Sequence, residues 1–192
     1  TVVEGSITQP GQRVLYQLSV AQDTRVLFDT LTTNGVFTWS LLDESGAVVS
    51  KVNGEALQDR RLRDADAAHS SNSLMLLRAG RSYTLVIDAD GQNTGDFAFR
   101  LLNLANAQAI GYDQVQTYSP EPANSTRLFS FSGVAGQQIV LDELSWSGNN
   151  WPDWRLYDPF GNQIYESYFY GDSSTLTLAR TGSLRASAEA LN

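Results

Sequence analysis

The dominant pattern along this chain is alternation with a period of two. Val14, Tyr16 and Leu18 alternate with Leu15, Gln17 and Ser19; Tyr83, Leu85 and Ile87 alternate with Thr84, Val86 and Asp88; Phe97, Phe99 and Leu101 alternate with Ala98 and Arg100. Such alternation sends successive side chains to opposite faces, so each segment is predicted to be a half-buried β-strand. Between the strands stand turn signals: Gln9-Pro10-Gly11, Thr33-Asn34-Gly35, Glu44-Ser45-Gly46, Arg78-Ala79-Gly80, Asp90-Gly91 and Pro159-Phe160-Gly161. Glycine supplies positive φ at these points, and Asn, Asp and Ser bond back to their own backbone. Short strands separated by such turns at roughly ten-residue spacing predict an all-β chain built as an antiparallel β-sandwich of jelly-roll type. The exception is Gly54 to His69, whose helix formers and interleaved charges read as a long solvated loop with room for one short helix.

The pattern occurs twice. Leu15-Tyr16-Gln17-Leu18, Leu27-Phe28-Asp29-Thr30-Leu31 and Trp39-Ser40-Leu41-Leu42-Asp43-Glu44-Ser45-Gly46 recur in order as Leu128-Phe129-Ser130-Phe131, Val140-Leu141-Asp142-Glu143-Leu144 and Trp154-Arg155-Leu156-Tyr157-Asp158-Pro159-Phe160-Gly161. The spacing is constant over the first two pairs and two residues longer at the third, which places an insertion in the intervening loop. A period of this length is a whole domain rather than a solenoid unit. The expected organisation is a complete module over 1–104, a linker over 105–112 and a second module over 113–192. Leu74-Met75-Leu76 through Gly80 aligns with Leu176-Thr177-Leu178 through Gly182, after which ten residues remain. Counterparts of Tyr83 to Ile87 and Phe97 to Leu102 are therefore expected to be missing, or replaced by Arg185 to Asn192, whose composition favours helix. The second module reads as truncated, and the chain as a fragment cut from a longer polypeptide.

Composition narrows the classes of function. A hydrophobic fraction of 42% and a charged fraction of 18% suit ordinary buried cores. No apolar run approaches the roughly 18 residues of a membrane-spanning helix, so membrane insertion is not expected. The net charge of −8 is negative in both halves. With no basic stripe to release counterions, nucleic acid and anionic membrane surfaces are poor partners. Cysteine is absent, which excludes disulfides and thiolate metal sites.

The order of motifs resembles the bacterial pre-peptidase C-terminal (PPC) type of β-sandwich. The residues that carry the likeness are Gln9-Pro10-Gly11, Tyr16 and Leu18, Leu27-Phe28-Asp29, Trp39 through Gly46, Ala79-Gly80 with Tyr83 and Leu85, and Thr94-Gly95-Asp96-Phe97 with Phe99 to Leu101. It is most similar to the variant repeated many times in giant secreted adhesin-like proteins, over nearly all of the first copy and about two-thirds of the second. The resemblance implies an extracellular or cell-surface accessory module without catalytic activity, whose partners are neighbouring repeats of the same polypeptide and a cell-surface glycan or protein. Acidic residues that often precede the first Tyr in that family are replaced here by Gln12-Arg13-Val14-Leu15, which argues against calcium at that strand.

Candidate chemistry is sparse. His69 is the single histidine, in a polar loop without a Gly-x-Ser-x-Gly turn elsewhere, so neither a Ser-His-Asp triad nor zinc is expected. Asp29 and Asp142 occupy equivalent strand positions, one per copy, which suits a structural carboxylate bonding backbone amides better than a glycosidase pair. Asp43 and Asp158 head turns. The hairpin Asp88-Ala89-Asp90-Gly91-Gln92-Asn93-Thr94-Gly95-Asp96 offers Asp88, Asp90, Asn93 and Asp96 as a candidate calcium site, with a plain hairpin as the competing reading. Trp146 and Trp151, flanking Asn149 and Asn150, have no aromatic counterparts in the first copy and form the candidate ligand site. Flat indoles beside amides stack on sugars, and they also pack domain interfaces. The expected function is a non-catalytic structural or adhesive repeat module, the alternative being a carbohydrate-binding accessory module attached to a secreted enzyme.

Overall fold

The computed structural model describes residues 1–32, 36–49, 60–61, 74–119, 121–122, 124–147, 152–168 and 170–189. The chain is all-β and divides into two compact units, Thr1–Ala105 and Asn106–Asn192. The boundary falls at the end of the first sequence copy.

In the first unit, β1 (Val2–Ile7), β8 (Gly95–Asn103), β3 (Thr24–Thr30) and β6 (Leu74–Leu77) form one antiparallel sheet in that order. The other has the order β2 (Val14–Ser19), β7 (Ser82–Ala89), β4 (Phe37–Asp43) and β5 (Arg60–Arg61). The alternation seen in sequence settles which side of each strand faces inward. Tyr16 and Leu18, Val26 and Phe28, Trp39 and Leu41, Leu85 and Ile87, and Phe97 and Phe99 all meet in one core. Phe28 stacks on Trp39 with ring centroids 4.3 Å apart and on Phe99 at 5.1 Å, and Tyr16 sets its edge against Phe99 at 5.4 Å. Rings from both sheets thus interdigitate, which is what makes the two layers a sandwich. Of the loop from Gly54 to His69, Arg60–Arg61 pairs with β4; the rest of that loop, its expected helix and His69 lie outside the described residues.

Among the described residues the second unit has one full sheet and a two-stranded counterpart of the other. A five-stranded sheet has the order β13 (Gln163–Tyr168), β12 (Asp153–Tyr157), β15 (Gly182–Glu189), β10 (Thr126–Gly133) and β9 (Gln108–Ala109). Against it lies a two-stranded sheet of β11 (Gln138–Ile139) and β14 (Leu176–Thr177). The expected linker is not wholly a linker, since Gln108 and Ala109 pair in parallel with Phe129 and Ser130.

The expected helical tail is overturned over 185–189, and residues 190–192 lie outside the described residues. Residues 182–189 are strand β15, hydrogen-bonded on both sides, to β10 and to β12. Helix propensity among Ala, Glu and Arg amounts to a few tenths of a kcal/mol per residue, and two ladders of backbone bonds outweigh it. Pairing registers identify β15 as the counterpart of β7. Leu18 lies opposite Tyr83 and Leu41 opposite Leu85 in the first unit, as Phe131 lies opposite Leu184 and Leu156 opposite Ala186 in the second. The same registers shift the alignment of this stretch by one residue, matching Met75 with Leu176 and Leu77 with Leu178. The strands without a counterpart among the described residues are therefore β1 and β8, not β7.

The Asp-headed turns of the two units share one geometry. Asp43 Oδ1 accepts the amides of Ser45 and Ala47 at 2.9 and 3.0 Å, and Asp158 Oδ1 those of Phe160 and Asn162 at 2.8 and 2.9 Å. Gly46 and Gly161 close the two turns at φ of 82° and 88°, where a side chain would be strained. Trp39, at the centre of the first core with 1% of its surface exposed, is the position on which that unit depends. Trp39→Ala should destabilise the first unit by about 3–5 kcal/mol; a loss below about 1 kcal/mol in chemical denaturation, read from the unit's own transition, would contradict this packing.

Candidate functional site

The hairpin between β7 and β8 does not gather its carboxylates. Asp88 is drawn to Arg13, with Nε to Oδ2 at 2.6 Å, and its Oδ1 accepts the amide of Ala89. Asn93 turns its side-chain amide onto the carbonyl of Asp90 at 2.6 Å, while Asp96 sits within β8 opposite Ser6 of β1. Among the described residues no three acidic or histidine side chains converge to hold a metal ion. Asp88 and Asn93 thus spend their side chains on Arg13, on the amide of Ala89 and on the carbonyl of Asp90.

Of the candidate ligand site, Trp151, Asn149 and Asn150 lie outside the described residues. Trp146 is half-buried, and its indole nitrogen is buried without a hydrogen-bond partner among the described residues. Its polar end is therefore turned away from solvent.

Two arrangements in the second unit were not singled out from sequence. The first lies on β12, on the face opposite Trp154 and Leu156. There Arg155, with 4% of its side chain exposed, bonds Asp153 at 2.7 Å and Glu166 at 3.1 Å. Burial works against the charged guanidinium, but attraction to Tyr157, Asp153, Glu189 and Glu166 outweighs it and holds the proton more firmly than in water. Tyr157, fully buried beside Arg155 and Ser187, is pushed up in pKa by that burial. Asp153, Arg155 and Tyr157 recur at every second position, as an alternating strand requires, but charged residues at such positions read as solvent-facing. Nothing in the sequence signals that this face is closed.

The second arrangement is the edge that β8 covers in the first unit. Asp29 faces Arg100 across the β3–β8 ladder, and the two form an ion pair at 2.5 Å with the carboxylate wholly buried. The bonds of Asp29 go to a guanidinium that the sequence reading did not assign. Asp142, the counterpart of Asp29, is exposed and stands beside Asp172 instead. A hydrogen bond between the two carboxyls, with partial desolvation and mutual repulsion, raises the pKa of Asp142 above its ordinary 3.8. Glu143 is engaged nearby: its amide donates to Asp172 Oδ1 at 3.0 Å, and its Oε2 accepts the amide of Gly171 at 2.5 Å.

No protein-family model matches the chain, and comparison with curated proteins gives no match. Among solved structures it is similar to the CUB1-EGF-CUB2 domain of human MASP-1/3, at 10% identity and a TM-score of 0.28, covering 98% of this chain and 94% of that one. It is similar also to the CUB1-EGF-CUB2 domains of rat MASP-1, at 10% identity and a TM-score of 0.27, covering 98% and 92%. At such TM-scores the likeness carries no inference about this chain.

The two arrangements respond differently to perturbation. Arg155→Ala leaves buried carboxylates without their cation and should cost about 3–5 kcal/mol in the stability of the second unit, read by denaturant unfolding. Asp142 binds its proton more tightly in the folded state, so its contribution to stability is present below about 3.8 and is lost as pH rises through its raised value. Asp142→Asn should remove that component, giving a stability that falls less steeply with pH above the ordinary carboxylate range. Identical pH profiles for the two proteins, measured by urea unfolding, would exclude the carboxyl pair.

Proposed function

We propose that this chain is a non-catalytic structural and adhesive repeat module: two units of a PPC-like β-sandwich array, part of a large secreted bacterial protein acting at the cell surface. The observation that carries the reading is the repetition of pairing register. Leu41 opposite Leu85 and Leu156 opposite Ala186 set the same strands side by side in both units, and the Asp43 and Asp158 turns repeat their backbone-amide bonds. Copying of a scaffold together with its turns, while the loops diverge, suits a unit whose value lies in being strung together. Its partners in this reading are neighbouring units of the same kind and a glycan or protein of a cell surface.

The carbohydrate-binding alternative rests on the tryptophan loop. A sugar platform presents its indole to solvent, and Trp146 keeps its nitrogen buried, so packing within the unit is the better account of that residue.

Beads coated with the chain should adhere to intact bacterial cells or to purified envelope polysaccharide, and Trp146→Ala should leave that adhesion within about twofold while lowering thermal stability. Adhesion abolished by Trp146→Ala in a protein with unchanged melting would favour the carbohydrate-binding alternative. Failure to adhere to any surface tested would remove the adhesive half of the proposal.

A further inference from the structure

The start of the second unit, residues 106–112, lies along β10 as a strap held by few contacts. Gln108 and Ala109 pair in parallel with Phe129 and Ser130. The amide of Ile110 donates to the carbonyl of Ser130 at 2.9 Å, Ser130 Oγ to the carbonyl of Ala107 at 3.4 Å, and Arg127 Nη2 to Gln108 Oε1 at 2.9 Å. Tyr112 ends the strap, its hydroxyl donating to the carbonyl of Ser132 at 2.8 Å and its ring set edge-on to Phe131. Gln108 and Ala109 are exposed and Tyr112 is 45% exposed, so docking hides little apolar surface. On its other side β10 pairs with β15 along all eight of its residues. Elements with few buried contacts open at low cost, and here the sheet stays paired when the strap lifts.

Lifting uncovers a strand edge, and the segment matched to that edge is the strap itself. Every contact just given lies between 106–112 and β10, so the same segment of a second chain can make all of them. Charge permits the approach: the strap has no charged side chain and β10 carries Arg127 alone, although the chain as a whole stands at −8. The turn that follows the strap favours its departure. Asp113 has a φ of 56°, a left-handed conformation disfavoured for a residue with a side chain. The bonds that hold this turn, from the amide of Gly111 to Gln114 Oε1 and from Gln108 Nε2 to Gln116 Oε1, are exposed, and water can replace them. Extended, residues 113–125 span about 40 Å, which gives the strap its reach. A short hinge under strain is what invites exchange between copies.

We propose that the β10 edge is a strand-exchange site whose partner is a second copy of this chain. Residues 106–112 of each copy leave their own β10 and pair, in the same parallel register, with β10 of the other, which gives a reciprocal dimer. The dimer keeps the strap contacts of two monomers and differs from them at the hinge. Its formation is therefore reversible and governed by concentration and by the strain at Asp113. Exchange does not depend on an adhesive role, and either can fail without the other.

The chain has no cysteine of its own, so single cysteines can report on which β10 a strap lies. Ala109→Cys and Ser130→Cys substitute positions that face each other in the β9–β10 register. The two single variants are mixed at high concentration, held just below their melting temperature, cooled and oxidised. A disulfide joining one chain of each kind is expected, about fivefold or more above the yield when Ser130→Cys is replaced by Gln17→Cys, the corresponding position of β2. Light scattering should show a dimer that returns to monomer on prolonged dilution, with near-ultraviolet circular dichroism unchanged. Asp113→Gly, which relaxes the closed turn, should lower the association constant about fivefold or more, and Asp113→Val should raise it. A natively folded mixture without the mixed disulfide, or one in which Gln17→Cys gives the same yield, would overturn the proposal. Dimerisation indifferent to both Asp113 substitutions would overturn it equally.

Discussion

Phe28 lying on Trp39 is the contact on which the first unit depends. The rings come from opposite sheets, are 4.3 Å apart and are tilted by only 12°. Neither sheet can hide its apolar face alone, and the stack fixes how closely the two approach. Phe99 lies on the other side of Phe28, with Tyr16 against it. Strands β2, β3, β4 and β8 are thereby committed to one another through four rings. Removing β8 would take away Phe97 and Phe99 together, two of the rings that fill the space between the sheets.

Among the described residues the second unit has the smaller core. Alanines replace Leu85 and Ile87 on the central strand, and the remaining core gathers round Leu156, Leu178, Leu184 and Ile139. Tyr112 from the connecting segment sets its ring against Phe131 at 5.8 Å and donates to the carbonyl of Ser132. On the outer face, the positions of Thr38 and Ser40 are taken by Asp153 and Arg155, and the half-buried hydroxyls of the first unit become a solvent-excluded ion-pair network. Buried ion pairs add little net stability, since desolvation consumes most of the attraction, yet they are costly to break. The consequence is a unit held by fewer apolar contacts and by a charge arrangement intolerant of substitution.

Much of this fold was legible in the sequence because strand alternation and turn chemistry are local. Val14 to Ser19, Tyr83 to Asp88 and the Asp-headed turns could be read from a few residues each. The tail from Arg185 to Glu189 could not, because its strand state is imposed by β10 and β12 from either side while its composition says helix. The glycines at 80 and 182 invited an alignment one residue out, which only the ladder partners of Met75 and Leu77 correct. The guanidinium partner of Asp29 lies on a strand seventy-odd positions away and leaves no local trace. The Arg155 network was equally silent, since a strand's periodicity tells which residues share a face and not whether that face is wet.

The contrast between Asp29 and Asp142 shows how one strand position changes character with its surroundings. Asp29 is wholly buried and holds its charge against the guanidinium of Arg100, because a carboxylate withdrawn from water needs a cation beside it. Asp142 is exposed and stands beside Asp172, and the bond between the two carboxyls raises its pKa. Water bears most of the cost of that meeting of like charges, and a shared proton bears the rest. Equivalent positions in the ladder therefore fix where a side chain sits, while burial and the neighbouring charge decide which protonation state it keeps.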